Sequence, residues 1–270
     1  MSTAVKKTPR GRLCITGAAG TAATLIRPLL RHRYDLTLFT QEPLDPHEGE
    51  KNVVGDLTDF DDVNRAVAGT DAVVHLGGIS SEGSFDPMIG ANITGTHHVL
   101  TAAARRGVQR VLVASSFHAA GGLPITEAGT AAPWHAQPTS FYGASKVAVE
   151  AVAAAHAHAH QLAVVAARIG TILPEPRTRR HLATWLSPAD FVRLIDALVD
   201  LQRPGYFPLW AISANSRRWV SLAPGRALGF VPVDDSEQFS EAVLANVDDP
   251  SGQWGTLGGP WHGLLIKDER

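Results

Sequence analysis

The chain has 270 residues and a formal net charge of −2, with acidic and basic residues mixed along its length, so no charged block marks a nucleic-acid or membrane surface. No apolar segment approaches the roughly 18 residues needed to span a bilayer, and the apolar run after the basic stretch Lys6 to Arg12 is too short for a signal-peptide core. The one cysteine, Cys14, cannot form an internal disulfide, and the expectation is a cytoplasmic protein whose partner is a small molecule.

The first element is the stretch Leu13-Cys14-Ile15-Thr16-Gly17-Ala18-Ala19-Gly20-Thr21-Ala22-Ala23, an apolar run that meets two glycines and continues as a helix to about Leu30. Gly17 allows a sharp exit from the strand, and Gly20 lets the backbone approach a ligand. Ala23 is small enough for the helix to pack on a sheet. The helix N-terminus then offers N–H groups to a pyrophosphate. Asp35 to Thr40 reads as a second strand. An acidic residue at the end of that strand would receive the adenosine ribose hydroxyls, but Thr40 stands there and no arginine follows to hold a 2′-phosphate. NAD is therefore placed ahead of NADP, with the choice left open.

Asn52 to Asp59 reads as a short strand leading to a helix capped by Thr58 or Asp59. Asp56 is a candidate for the adenine, or else a turn aspartate that caps backbone N–H groups. Asp71 to Ser80 is a buried strand ending in Gly77 and Gly78, which would let the backbone lie against a cofactor, and His75 inside it reads as a satisfied core histidine. A helix from about Ile93 to Arg106 and the strand Arg110 to Ser116 follow. Strands alternating with amphipathic helices predict an α/β fold, a doubly wound parallel (Rossmann) sheet with ligands at the carboxyl ends of the strands.

A loop from Gly121 to Ser140 delivers the chain to Phe141-Tyr142-Gly143-Ala144-Ser145-Lys146, which opens an alanine-rich helix reaching about His160. Tyr142 and Lys146 share one helix face. A tyrosine used as a base at neutral pH must be ionised from a pKa near 10, which costs roughly 4 kcal/mol. A neighbouring Lys146 ammonium and the positive nicotinamide ring of an oxidised cofactor would lower that cost. Ser116 would steady the substrate oxygen. Leu162 to Ile169 is a sixth strand, Ser187-Pro188-Ala189-Asp190 opens a helix, Phe207 to Ser213 is a last strand, and Asp235 or Ser236 starts a final helix. His156 and His160 could share a face, but no nearby cysteine or acid completes a metal site, and no metal is expected.

Thr16-Gly17-Ala18-Ala19-Gly20, Asp56-Leu57, His75-Leu76-Gly77-Gly78, Asn92-Ile93-Thr94-Gly95-Thr96, Ser115-Ser116 and Tyr142-Gly143-Ala144-Ser145-Lys146 together resemble the extended short-chain dehydrogenases/reductases (the NAD-dependent epimerase/dehydratase family) over almost the whole chain. The resemblance implies a catalytic set of Ser116, Tyr142 and Lys146, with Asn92 supporting a water relay and Lys146 also holding the nicotinamide ribose. It implies a cofactor site at Gly17, Ala19, Gly20, Thr21, Ala22, Thr40, Asp56, Leu57, Leu76, Gly77 and Gly78.

His75 to Ser80, Arg168-Ile169-Gly170, Pro174-Glu175-Pro176, Arg180 with Thr184-Trp185, Asp190 to Ile195 and Ser213-Ala214-Asn215 resemble the uronate dehydrogenase branch. That branch oxidises the anomeric carbon of glucuronate or galacturonate to an aldarolactone. The likeness implies that Arg180 binds the sugar carboxylate, as a guanidinium's two-pronged fit would allow, with Ser80, Ser116, His118, Tyr142 and Thr171 around the sugar. Phe117 stands where the branch has an asparagine, which would remove a donor and narrow the pocket. The expected organisation is one Rossmann-type domain over 1–270, with substrate-binding elements mainly in 171–270. The expected partner is a sugar acid rather than nucleic acid or membrane, and a homo-oligomer is left open. The alternatives are an NADP-linked carbonyl reductase, a sugar epimerase or a non-catalytic cofactor sensor.

Overall fold

The computed structural model describes residues 9–261. Seven parallel strands form one sheet. In chain order the first part comprises β1 (Arg12–Thr16), α1 (Thr21–Leu30), β2 (Asp35–Thr40), β3 (Glu50–Val54), α2 (Phe60–Val67) and β4 (Ala72–His75). Next come α3 (Phe85–Met88), a π-helical turn at Ile89–Thr94, α4 (Gly95–Arg106), β5 (Arg110–Ser116) and α5 (Phe141–His160). The remainder holds β6 (Ala163–Ile169), β7 (Thr171–Ile172), α6 (His181–Thr184), β8 (Trp185–Leu186), α7 (Pro188–Asp200) and β9 (Gly205–Ala211). The strands lie in the order β3-β2-β1-β4-β5-β6-β9, which reverses between β1 and β4, so the connections leaving their carboxyl ends pass to opposite faces of the sheet and leave a crevice there.

Apolar runs make these strands because both faces of the sheet are covered. Leu13 and Ile15 of β1 pack with Ile26, Leu30, Phe191 and Leu198 from α1 and α7. Cys14 points the other way, toward Val63, Val99, Val149 and Ala153 from α2, α4 and α5. Burial pushes the Cys14 thiol up to about 12, which keeps it protonated and inert. Ile26 is fully buried, and cutting it to Ala would cost about 2–5 kcal/mol.

Several expected boundaries shift. The helix expected from Ile93 begins as α4 at Gly95, because the six residues before it form the π-helical turn. The last strand runs from Gly205 to Ala211, two residues earlier than the apolar run suggests, because it pairs with β6 along its whole length. The final helix opens as a tight turn capped by Asp235 and continues only over Ser240–Ala245. The long 121–140 loop is ordered by the tail of the described chain: Ile125 donates to Gly255 O at 2.9 Å, Leu257 to Leu123 O at 3.0 Å and Gly258 to Gly121 O at 2.7 Å. Among the described residues, no helix is long and apolar enough to cross a membrane.

Candidate active site

A cavity of about 760 Å³ lies over the carboxyl ends of β1, β2 and β4. All eleven residues assigned to a cofactor by sequence, apart from Lys146, line it. Gly17 leaves β1 at φ +66°, where its missing side chain lets the loop press against Gly77. Gly78, at φ +131°, leaves room for the side-chain oxygen of Asn92. Gly20 is the N-cap of α1, and among the described residues no side chain caps that helix end. The backbone at Thr21 and Ala22 borders the cavity, so the positive end of the helix faces it. A dinucleotide's pyrophosphate fits these features. A second groove, of about 560 Å³, runs along α7 and the 228–231 segment and contains none of the predicted site residues.

At the ribose end, Thr40 does not offer its hydroxyl outward. It donates to Glu42 O at 2.6 Å and accepts from Glu42 N at 3.1 Å. Asp56 accepts from Thr58 N and Thr58 Oγ1, both at 2.7 Å, which makes it the turn aspartate that the sequence allowed. Those bonds hold its carboxyl below the usual range. Its other oxygen takes Gln41 Nε2 at 3.2 Å, so a carboxylate still lines the crevice beside Glu42.

His75 is the core histidine expected. Thr96 Oγ1 donates to Asn92 O at 2.6 Å and is therefore the acceptor for His75 Nε2 at 3.0 Å. The other ring nitrogen then accepts from Thr16 Oγ1 at 2.7 Å, while Thr16 accepts from Gly77 N at 3.2 Å. Every polar atom of this chain of bonds is used by a neutral imidazole. Burial, with the Lys146 charge adding to it, pulls the His75 pKa down to about 3.

The residues expected to react do not line that cavity and gather instead at the start of α5 and the end of β5. Helix α5 presents Tyr142, Lys146 and Glu150 one turn apart, and each meets the end of β5. The Tyr142 hydroxyl bonds Ser116, Lys146 Nζ donates to Ala114 O at 2.9 Å, and Ser115 Oγ donates to Glu150. Glu150 also takes two 2.7 Å bonds from Arg168, which lies opposite Ser115 in the β5–β6 register. Arg168 Nη1 reaches on to His135 O at 2.6 Å and so fixes the long loop.

The expected electrostatics need one correction. Tyr142 is 7 % exposed, and burial raises its pKa, with the Ser116 bond pulling it back. The Lys146 ammonium lies 5.6 Å from the phenol ring centroid but donates to a carbonyl, so the phenolate is not made cheap by the pair alone. Burial draws Lys146 down to about 8, against an upward pull from Glu150.

Asn92 lies within the π-helical turn and its amide is engaged by protein. It accepts from Ile79 N at 2.7 Å and donates to Ile79 O at 3.1 Å and Ser145 Oγ at 2.9 Å. The side chain joins the β4 exit loop to α5.

On the substrate side, His118 N donates to Ser116 Oγ at 3.2 Å and its ring stands edge-on to Tyr142, 5.7 Å between centroids. Burial and the charge of Arg180 hold the His118 pKa down to about 4, so its ring is neutral at pH 7. Arg180 packs its guanidinium 5.3 Å from the Trp219 ring centroid and donates through Nη2 to Leu257 O. Its Nη1 is shut off from water with no hydrogen-bond partner among the described residues, and burial pulls its pKa down to about 10. Its neighbour Arg179 is tied to Asp249 and Leu244 O, so this is a structured segment rather than a solvated basic loop. Thr171 Oγ1 lies 3.1 Å from Thr184 Oγ1.

Phe117 corrects a second expectation. It is 1 % exposed and packs edge-on against Trp210 at 5.0 Å, within a cluster that includes Leu123, Val220 and Leu257. The donor is absent, but the ring does not narrow the pocket. His156 faces His160, with ring centroids 5.3 Å apart, and its Nε2 lies 3.0 Å from Nδ1 of His97 on α4. Among the described residues, no group of three or more histidines, cysteines or acids is placed to hold a metal ion.

Sequence reading missed Glu82, Glu150 and Trp219. Glu150 could have been found from its helical spacing to Tyr142, whereas Glu82 and Trp219 meet the site only through the fold.

A sequence model described as the NAD dependent epimerase/dehydratase family matches residues 13–190. The uronate dehydrogenase of Pseudomonas putida is 38% identical over 253 residues, 90% of this chain and 93% of that protein. A solved variant of the Agrobacterium tumefaciens uronate dehydrogenase complexed with NAD superposes with a TM-score of 0.87 at 34% identity, over 94% of this chain and 98% of that one. The glucuronic acid dehydrogenase of Chromohalobacter salexigens gives a TM-score of 0.88 at 32% identity, over 96% and 99%. With an uncapped helix start over a glycine-lined crevice and a serine, tyrosine and lysine gathered at the end of β5, this chain belongs to the NAD-dependent epimerase/dehydratase family.

Proposed function

We propose that the protein oxidises the anomeric carbon of a hexuronate, glucuronate or galacturonate, to the aldarolactone with NAD. The observation that carries the substrate is Arg180. A guanidinium nitrogen without a partner, shielded from water, is unfavourable unless an anion completes it, and a carboxylate matches its geometry. That nitrogen belongs to a cation close enough to depress the pKa of His118, whose ring abuts Tyr142. A carboxylate held there leaves the sugar ring over the phenol.

Bound NAD would supply the acceptor for the hydride leaving C1. Gly17, Gly20 and the start of α1 would hold its pyrophosphate, and Lys146 its nicotinamide ribose. Tyr142 takes the proton of the C1 hydroxyl, and Ser116 keeps the oxygen that becomes the lactone carbonyl in place. Lys146, protonated below about pH 8, adds positive charge beside the phenol. Ser80, His118 and Thr171 would line the sugar. Glu42 and Asp56 face the adenosine end, and among the described residues no lysine or arginine lines that cavity, so a 2′-phosphate would meet carboxylates without a cation. The buried free thiol of Cys14 accords with a cytoplasmic protein.

The test is cofactor reduction with glucuronate and galacturonate, NAD and NADP side by side. Reduction of NAD by uronates is expected, with NADP slower. Turnover of ketones or nucleotide sugars without uronate activity would overturn the assignment.

A further inference from the structure

The start of α5 is closed by a residue from a distant part of the chain. Glu82, in the irregular segment between β4 and α3, accepts from Phe141 N at 3.0 Å through one carboxylate oxygen and from Tyr142 N at 3.1 Å through the other. Ser140 supplies the local cap: its hydroxyl accepts from Gly143 N at 3.0 Å. With both, the N–H groups of Phe141, Tyr142 and Gly143, which the helix itself leaves open, have side-chain acceptors. One capping side chain is enough to start a helix. A second, 59 residues away in sequence, fixes where the helix sits relative to something else.

That something is the strap formed by residues 79–85. Ile79 is held through its N–H and carbonyl by Asn92, which also donates to Ser145 Oγ, and Ser145 in turn donates to Tyr142 O at 2.8 Å. Phe85 packs against Phe141 with the rings tilted by 55° and centroids 5.2 Å apart. Three anchors at 79, 82 and 85 therefore all end on residues 141–145, the turn that carries the base. Ser80, on the cavity wall, lies between the first two.

We propose that Glu82 is a positioning residue, which makes the substrate-side strap and Tyr142 one rigid body and so sets the distance from Ser80 to the phenol. Its two oxygens match two successive N–H groups, a fit a neutral amide cannot copy, because a glutamine would turn its NH2 toward one of them. The inference rests on the proposed reaction, in which Tyr142 is the base and Ser80 lines the sugar.

The experiment compares Glu82→Gln and Glu82→Ala with wild type in kcat on glucuronate, in NAD dissociation constant, and in amide hydrogen exchange at Phe141 and Tyr142. Expected are a loss in kcat of about tenfold for Gln and on the order of 100-fold for Ala, the scale of an ångström-size misplacement. Exchange at both amides should speed up, while NAD affinity stays within about twofold because the α1 end is untouched. Faster exchange with unchanged kcat would reduce Glu82 to a structural cap, and unchanged exchange would remove the contact; either overturns the proposal. If Ala does not fold, Gln alone decides. Wild-type protein that reduces no NAD with either uronate sinks the substrate assignment and Glu82's role with it, whereas active wild type with kcat unchanged in both variants sinks Glu82 alone.

Discussion

Helices α1 and α5 each begin near the carboxyl edge of the sheet, yet their first turns are finished in opposite ways. At α1 the N-cap is Gly20, no side chain caps the turn, and the backbone there faces a cavity. At α5, Ser140 and Glu82 together take up the N–H groups of the first turn. A helix start carries roughly half a positive charge. Left uncapped, it is a seat for an anion such as a pyrophosphate; closed by protein, it is a fixed platform for a reacting side chain. Under the proposed reaction, capping chemistry separates the part that must exchange a ligand from the part that must not move.

The largest expected effect tests the platform. Tyr142→Phe should lower kcat on the order of 1,000-fold while leaving NAD affinity nearly unchanged, measured by cofactor reduction and calorimetry. If affinity fell as far as kcat, the two helix starts would not be independent. Next, giving α1 the cap it lacks should invert its role. Gly20→Asp places a carboxylate where the pyrophosphate is proposed to sit and should weaken NAD binding on the order of 100-fold, while the new cap changes stability by no more than a few tenths of a kcal/mol, since Gly already serves as an N-cap and the added Cβ would lie 3.1 Å from Gly17 O. A variant that is less stable but still binds NAD would show that the open end is not the phosphate seat.

Arg180→Ala should raise KM for the uronate about thirtyfold with a smaller change in kcat, the effect of losing a charge-assisted bond worth about 2 kcal/mol. An unchanged KM would remove the carboxylate anchor. The smallest effect is a pH dependence on the α1 side. His75, held at a pKa of about 3, links Thr16 at the end of β1 to Thr96. Unfolded, it would titrate near 6.5, so between pH 6.5 and 3 the unfolded chain binds the extra proton. Stability is therefore fully retained above 6.5 and falls as the pH drops through that window. His118 and His181, each near 4, add losses of the same sign. At pH 5 the loss from His75 alone is about 2 kcal/mol, and His75→Gln should make a plot of unfolding free energy against pH shallower.

Much of this arrangement was legible in the residues. β2, β5, α1 and α5 begin and end where pattern and turn chemistry put them, and Ser187 caps α7 by accepting from Asp190 N at 2.9 Å. The candidates lining the crevice were legible for the same reason, since a strand, a glycine turn and a helix start are written in consecutive residues. The direction of Phe117 was not, because its partner Trp210 belongs to a strand far along the chain. Nor was the Lys146 bond to Ala114 O, which depends on how deeply α5 settles on β5.

The sequence by itself determined which segments become strands and helices, which glycines open the turn, and that a tyrosine and a lysine share a face, since each follows from local dihedral preference and helical period. Only the tertiary structure decided that Thr40 turns inward to Glu42, that Glu82 closes the start of α5, and that Arg180 keeps a shielded nitrogen without a partner among the described residues. Those outcomes depend on which distant groups arrive within about 3 Å, and hydrogen bonding and desolvation act only over that range.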